Sequence, residues 1–345
     1  MKKMLALLLA LVMVLSLAAC ASSQPAAAST ETAETTETTE PAAEESAEAP
    51  AESGKTYTVG VCQLVQHEAL DAATQGFVDA LKEELGAAVT VDVQNASGDS
   101  VNCGTIVNGF VSKGVDLIMA NATPALTAAV SATADIPILG TSITAYGVAL
   151  DIDDFNGTVG GNVSGTSDLA DLQAQAQMIL DWFPETKTVG LLFCSAEPNS
   201  RYQIDEVRKA LEAQGVTCEE FAFTDSNDVS SVTQKAADFS DVVYIPTDNT
   251  AASNTEAIAN VLIPAGVPAI CGEEGLCRGC GVATLSISYY DLGVTTGKMA
   301  AKILKGEADI STMPVEYTDA TPKYNASVCE QLGITPLDGY EAIDG

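Results

Sequence analysis

The chain carries one histidine, nine cysteines and several short polar clusters, and these are the residues with which it could do chemistry. His67 follows Cys62 by five residues, a spacing open to a thiol–imidazole pair. Cys62, however, stands at an apolar position in a run that reads as a strand, where cysteine behaves as a small buried hydrophobe. Cys271-x5-Cys277-x2-Cys280 is the one cysteine cluster. It could close a Cys277–Cys280 disulfide or offer three thiolates to a metal, and free thiols are the simplest state. Three thiolates without a nearby histidine are an incomplete zinc set, so neither metal nor cofactor is expected. The sequence has no Gly-x-Ser-x-Gly elbow, no Walker loop and no His-Glu-x-x-His. It is not expected to be an enzyme.

The polar clusters point to binding. They are Gln63 to Glu68 (with Gln66 and His67), Asn95 to Ser97, Thr123-Pro124, Gly140-Thr141-Ser142, Asn199-Ser200, Asp248-Asn249 and Glu273-Glu274. Each combines a turn residue with hydroxyls, amides or carboxylates. Thr123, Thr141 and Ser142 could cap helix N-termini and hold a ligand carboxylate there, where N–H groups point outward. Asp168, Asp248, Glu273 and Glu274 could pair with an ammonium. Taken singly, each residue reads better as a cap or a solvated turn. The functional reading comes from their shared position at the ends of expected strands.

Those strands follow a regular alternation. Tyr57–Leu64, Val89–Val93, Val115–Ala120 and Ile136–Leu139 read as strands, with amphipathic helices at Leu70–Leu85 and about 101–113 between them. Pro124 is placed to open a further helix. A glycine-rich passage, Gly157 to Gly165, interrupts the cycle. It restarts with a helix at Leu172–Phe183 and strands at Thr188–Cys194, Cys218–Phe223, Val242–Ile245 and Val267–Cys271. Ala283–Ser288 is then extended, and Gly293–Leu304 is a final long helix. Two βαβ series predict an α/β protein with two lobes, each a parallel sheet with helices on both faces. The expected boundaries are 55–160 plus about 288–307 for one lobe and 161–287 plus about 308–345 for the other. Crossings between lobes are expected in 157–165, 284–290 and 305–315. Open sheets bind ligands beyond the carboxyl ends of their strands, so the facing lobes would form a cleft able to hinge shut.

Composition limits the partners. Fifteen basic residues stand against 47 acidic ones, for a net charge of −32. Eight of the acids fall in 21–54 and two of the bases are Lys2 and Lys3, which leaves −26 on residues 55–345. Such a body does not suit nucleic acid or an anionic lipid surface. Residues 1–20 combine Lys2-Lys3, an apolar run from Met4 to Leu15 and Leu17-Ala18-Ala19-Cys20, the pattern of a secretory signal. A cysteine directly after Leu-Ala-Ala is the lipobox arrangement, with Cys20 as the acylated mature N-terminus and lipid anchor. Residues 21–54, built from Ala, Ser, Thr, Glu and Pro without a large apolar side chain, are expected to be a disordered acidic tether.

Residues 56–340 resemble the ABC-transporter substrate-binding lipoproteins whose characterised members bind tryptophan or phenylalanine. The stretches that carry the resemblance begin with Gly60-Val-Cys-Gln-Leu-Val-Gln-His-Glu-Ala-Leu-Asp71, Val93-Gln-Asn95 and Ala122-Thr-Pro-Ala125. Downstream come Gly165-Thr-Ser-Asp-Leu169, Ile245-Pro-Thr-Asp-Asn-Thr250, Gly272-Glu-Glu-Gly275 and Tyr290-Asp-Leu-Gly-Val-Thr-Thr-Gly-Lys-Met-Ala300. The resemblance implies a type I periplasmic-binding-protein fold and a small zwitterionic ligand, an aromatic amino acid. It also implies delivery to a membrane permease by a lipid-anchored monomer outside the cytoplasmic membrane. It places His67 and its neighbours, Thr123, Thr141, Asp168, Asn199, Asp248 and Glu274 in the pocket. Asp248 or Glu274 would hold the ammonium, and Thr123 and Thr141 the carboxylate. Tyr146, Phe155, Tyr202 and Tyr289 are the candidate rings, and Trp182 reads as core. Glu68-Ala69 and Cys277-Arg-Gly-Cys280 depart from the family's pattern. The alternatives are a receptor that signals to a membrane sensor and a binder of sugars or branched-chain amino acids.

Overall fold

A computed structural model describes residues 54–343. The signal segment, Cys20 and nearly all of the tether lie outside the described residues. By its contacts the chain divides into Met1–Ala51 and Glu52–Gly345, and the described residues belong to the second unit.

The expected alternation forms two sheets. The first series runs β1 (Tyr57–Gln63), α1 (Glu68–Leu85), β2 (Val89–Asn95), α2 (Ser100–Lys113) and β3 (Leu117–Asn121). It continues through α3 (Thr123–Ala132), β4 (Ile138–Ile143), α4 (Tyr146–Ala149) and β5 (Val163–Ser167). The second series is α5 (Leu172–Trp182), β6 (Thr188–Cys194), α6 (Pro198–Glu212), β7 (Thr217–Phe223), α7 (Val229–Phe239) and β8 (Val242–Ile245). Next come α8 (Asn249–Ala252), α9 (Thr255–Ala265), β9 (Ala269–Cys271), α10 (Glu274–Cys280) and β10 (Ala283–Ser286). The chain then passes through α11 (Tyr289–Lys305), β11 (Glu316–Tyr317), β12 (Thr321–Tyr324), α12 (Ala326–Leu332) and β13 (Glu341–Ala342). The first sheet has the order β11-β5-β4-β3-β1-β2 and its pairs are parallel. The second has the order β13-β12-β10-β9-β8-β6-β7, with β10–β12 as its antiparallel pair.

Alternation along the strands explains the two-sided burial. Val59 and Val61 of β1 pack with Phe77 and Leu81 of α1 and Met299 and Ala300 of α11. Cys62 faces the other side, among Cys103, Phe110 and Leu126. Cys62 is therefore core, as its apolar position predicts. Helices α1 and α11 approach closely because glycines face the partner helix. A Cβ on Gly76 would strike the Tyr290 carbonyl oxygen, and one on Gly293 the Ala73 carbonyl oxygen. This packing returns α11 to the first lobe.

Sheet pairing moves the expected lobe boundaries. β5 hydrogen-bonds beside β4, so the first crossing lies at 168–171 and not in 157–165. The 305–315 passage also stays with the first lobe. Ser164 Oγ donates to the Met313 carbonyl at 2.9 Å, the Val315 N–H donates to Gly157 O at 2.8 Å, and β11 pairs with β5. The third crossing is thus at 318–320, and the second is at Ile287-Ser288, inside the expected 284–290 window. Among the described residues no helix is long and apolar enough to cross a membrane.

Candidate functional site

Both sheets reverse their strand order beside the first strand of their series: 2-1-3 in the first lobe and 7-6-8 in the second. Such switch points leave a crevice beyond the carboxyl ends of the strands. The segments after β1, β4, β6, β8 and β9 converge there on a narrow cavity with about 10 Å3 of room for a water-sized body. The first lobe contributes His67, Leu70, Ser142 and Thr144. The second contributes Asn199, Thr247, Asp248, Asn249, Ala252 and Glu273. The first crossing adds Asp168 and the start of α11 adds Tyr289. Among the described residues no Lys or Arg lines it.

The second lobe's carboxylates are already engaged by local structure. Glu197, directly before Pro198 at the start of α6, accepts from Asn249 N at 3.0 Å and Asn249 Nδ2 at 2.7 Å. It also accepts from Thr250 N at 2.9 Å and Thr250 Oγ1 at 2.8 Å. Asp248 caps α8 by accepting from Ala251 N at 2.8 Å, and its other oxygen accepts from Cys194 N at 2.6 Å. Burial raises its pKa to about 8, helped by the neighbouring Glu197 charge. Glu273 caps α10 through the N–H groups of Gly275 and Leu276, and burial lifts it to about 7. An acid following a strand in extended backbone and preceding a helix is a natural N-cap. Asp248 and Glu273 take that role, whereas Glu197 stands at the cap position of α6 but binds the start of α8.

Asp168 differs. It is 5% exposed, its Oδ2 accepts from Tyr289 Oη at 2.9 Å, and its Oδ1 has no hydrogen-bond partner. Burial raises its pKa, and the Tyr289 and Thr144 hydroxyls draw it partly back. Asn199 donates through Nδ2 to Thr247 O at 3.1 Å, which leaves Oδ1 without a partner. Ser142 Oγ, on a residue with φ of 56°, is also unpartnered. Among the described residues, these are the buried side-chain atoms of the cavity wall that lack a partner: two acceptors and one hydroxyl.

His67 closes the cavity from the first lobe. Its Nε2 lies 3.2 Å from Asn249 Oδ1 across the cleft. Because Asn249 Nδ2 donates to Glu197, its Oδ1 faces His67 and the imidazole must carry hydrogen on Nε2. Burial lowers the histidine's pKa.

The remaining sequence candidates stand elsewhere. Gly140, Thr141 and Ser142 lie inside β4, which extends four residues beyond its expected end at Leu139. The Thr141 hydroxyl is consequently internal, 3.1 Å from Thr166 Oγ1 and 3.2 Å from Thr296 Oγ1. Thr123 is buried as the first residue of α3, behind the cap position Ala122, and does not line the cavity. Asn95 accepts from Ser97 N at 2.7 Å in a local turn. Gln66 is exposed at the cleft mouth. Glu274 is ion-paired with Arg278 at 2.8 Å and Lys323 at 2.6 Å. Tyr146 stacks on Phe155 at 6.3 Å in the first lobe's core, and Tyr202 packs at the edge of the second lobe's core. Of the candidate rings, Tyr289 reaches the cavity. Cys271, Cys277 and Cys280 are free and buried in the second lobe's core. Sequence reasoning missed Leu70, Thr144, Thr247, Ala252 and the organising role of Glu197. Glu197-Pro198 did mark the start of α6, since a proline in the first turn signals a helix start, but not the binding of Glu197 to the start of α8.

The family model described as "ABC transporter substrate binding protein" matches residues 58–339. A tyrosine-binding protein of Clostridioides difficile (strain R20291) is 32% identical over 276 residues, covering 78% of this chain and 79% of that one. A solved ABC domain from Streptococcus pneumoniae in complex with L-Trp is 32% identical, covers 84% of this chain and 100% of its own, and superposes with a TM-score of 0.79. The ligand-free, open structure of a substrate binding protein with adhesive properties from Clostridium difficile is 33% identical, covering 84% and 99% of the two chains. Its TM-score is 0.64. At 32% and 33% identity, the chain thus superposes better on the L-Trp complex than on the open form, in agreement with lobes that touch through His67 and Asn249. With two parallel-sheet lobes around an inter-lobe cavity and a family match across nearly all the described residues, the chain belongs to the ABC transporter substrate binding proteins, a family of binders and not of enzymes.

Proposed function

We propose that the protein captures an aromatic amino acid in the inter-lobe cavity and presents it to an ABC permease. The observation that carries this reading is the pair of buried, unpartnered acceptors, Asp168 Oδ1 and Asn199 Oδ1, on one cavity wall. A buried acceptor without a donor costs about 1–3 kcal/mol, and a ligand ammonium brings three N–H donors. With no Lys or Arg in the wall among the described residues, the ligand carboxylate falls to Ser142 Oγ, the wall hydroxyl without a partner. Leu70, Ala252 and the Tyr289 ring supply apolar surface for a side chain. The tyrosine-binding relative and the L-Trp complex support the aromatic class. In this reading His67, Asp168, Asn199 and Asn249 replace Thr123, Thr141 and Glu274 as the principal contacts. Asp248 and Glu273 shape the wall.

The protein would be a monomer held at the outer face of the cytoplasmic membrane through acylated Cys20. Closure around ligand is the state the permease reads, because contacts to both lobes exist in that state alone. Calorimetric titration with L-Trp, L-Tyr and L-Phe, beside L-Leu, L-Val and a hexose, tests the ligand class. Saturable heat from an aromatic amino acid is the expected result, and heat from the hexose or aliphatic amino acids alone removes the reading. Cys20→Ser should release the protein from the membrane fraction if the anchor is as proposed.

A further inference from the structure

A second contact joins the lobes outside the cavity. Arg278 Nη2 lies 3.1 Å from Glu68 Oε1, with the side chains 35% and 51% exposed. Glu68 opens α1 immediately after His67. Arg278 stands in the last turn of α10, whose cap Glu273 lines the cavity. The ion pair therefore spans the cleft mouth beside the cavity wall, and both residues border the same opening.

Its neighbours give it direction. Arg278 also holds Glu274 at 2.8 Å, and the other Glu274 oxygen is held by Lys323 of β12 at 2.6 Å. Those two pairs lie within the second lobe and survive any separation of the lobes. The Glu68–Arg278 pair does not. It requires α1 of the first lobe to meet α10 of the second, so it belongs to the closed arrangement alone. An interaction present in one state only shifts the equilibrium toward that state. Arg278 is meanwhile kept in position by Glu274, which reduces the conformational freedom lost when the lobes meet.

We propose that Glu68 and Arg278 form a latch that favours lobe closure without touching ligand, and so act as positioning residues that slow ligand escape. The ligand arm of its test rests on the aromatic amino-acid reading, and the ligand-free arm does not. Glu68→Gln keeps size and removes charge. In the full chain, stopped-flow exchange of bound L-Trp or L-Tyr should show dissociation about two- to fivefold faster, with association nearly unchanged, the scale of a part-exposed pair. In an Arg278→Gln background the same substitution should have no further effect. Salt at about 0.5 M should bring wild-type dissociation up to the variant's rate. For the ligand-free arm, spin labels at Val101→Cys and Ser230→Cys, exposed positions in opposite lobes, report the lobe separation. Glu68→Gln should move that distribution toward longer distances with the melting temperature unchanged. A Glu68→Gln effect that is the same with and without Arg278 overturns the latch. Unchanged dissociation together with unchanged distances also overturns it. If no aromatic amino acid binds, the distances alone decide: longer in Glu68→Gln supports the latch, unchanged removes it.

Discussion

The carboxylates of the second lobe and the carboxylate of the first crossing border the same cleft but have different bonding left to offer. Glu197, Asp248 and Glu273 follow strands and precede helices, and backbone N–H groups take up both oxygens of each. Asp168 follows β5 in a crossing, and its partner is the hydroxyl of Tyr289 at the start of α11, not a helix's backbone N–H groups. One of its oxygens accepts from Tyr289 and the other faces the cavity without a partner. A carboxylate at a strand end thus shapes the wall when backbone N–H groups take up both of its oxygens and can receive a ligand when they do not.

The largest test of this contrast is a pair of isosteric substitutions. Asp168→Asn should weaken amino-acid binding by roughly 10- to 150-fold, the equivalent of losing a charge-assisted bond worth about 1.5–3 kcal/mol. Melting temperature should hold or rise, because a buried charge is removed. Asp248→Asn should do the reverse. Its amide NH2 would confront a backbone N–H, costing about 1–3 kcal/mol of stability, while the folded fraction binds nearly as before. Calorimetry and thermal unfolding separate the two, and loss of binding at Asp248 with stability intact would break the contrast.

pH sharpens it next. Asp248 at about 8 and Glu273 at about 7 have folded pKa values raised above those of the unfolded chain. Their contribution to stability is fully present below the ordinary carboxylate pKa and is lost as pH rises through 7 and 8. The ligand-free protein should therefore melt lower at pH 8.5 than at pH 6.5. His67, with its pKa lowered, has the opposite sign, and its effect is confined to pH below about 6.5. Affinity should move against stability. An ammonium needs ionised Asp168, whose pKa is raised, so binding should weaken by up to about tenfold per unit as pH falls below that value.

Smaller effects should follow at the supports. Tyr289→Phe removes the hydroxyl that orients Asp168 and should weaken binding roughly two- to tenfold, the range for a bond of about 0.5–1.5 kcal/mol. Thr141→Val should cost about 1 kcal/mol of stability from the Thr141–Thr166–Thr296 hydroxyl cluster, with affinity changed less than about twofold. An affinity loss of tenfold in Thr141→Val would return that residue to the site.

The fold was legible wherever apolar residues set a period. Val59, Val61, Phe77 and Leu81 announce β1 and α1, and the long helix near the end of the second series reads as clearly. β5 was hidden because Val163-Ser-Gly-Thr-Ser167 has a single large apolar side chain, although every residue in it is buried. Hydroxyls replace hydrophobes there: Thr166 joins Thr141 and Thr296, and Ser164 bonds the carbonyl of Met313. With β5 unread, the lobe boundary fell too early. The same local ambiguity put Thr141 at the site, since Gly140-Thr141-Ser142 looks like a turn and is strand. Asp168, Asn199 and His67 were legible as polar residues beyond strands, but their ranking was not.

By itself the sequence determined the two βα series, the buried character of Cys62 and the acidic charge that limits partners, because periodicity and composition act through near neighbours. The tertiary structure decided which polar groups are free. Asp248 is satisfied by Cys194, 54 residues away, and Asp168 is half satisfied by Tyr289, 121 residues away. Glu68 and Arg278, unrelated in sequence, meet because two lobes close on one cleft. Hydrogen-bond saturation depends on which donors lie within about 3 Å, and that distance is set by the packing of elements remote along the chain.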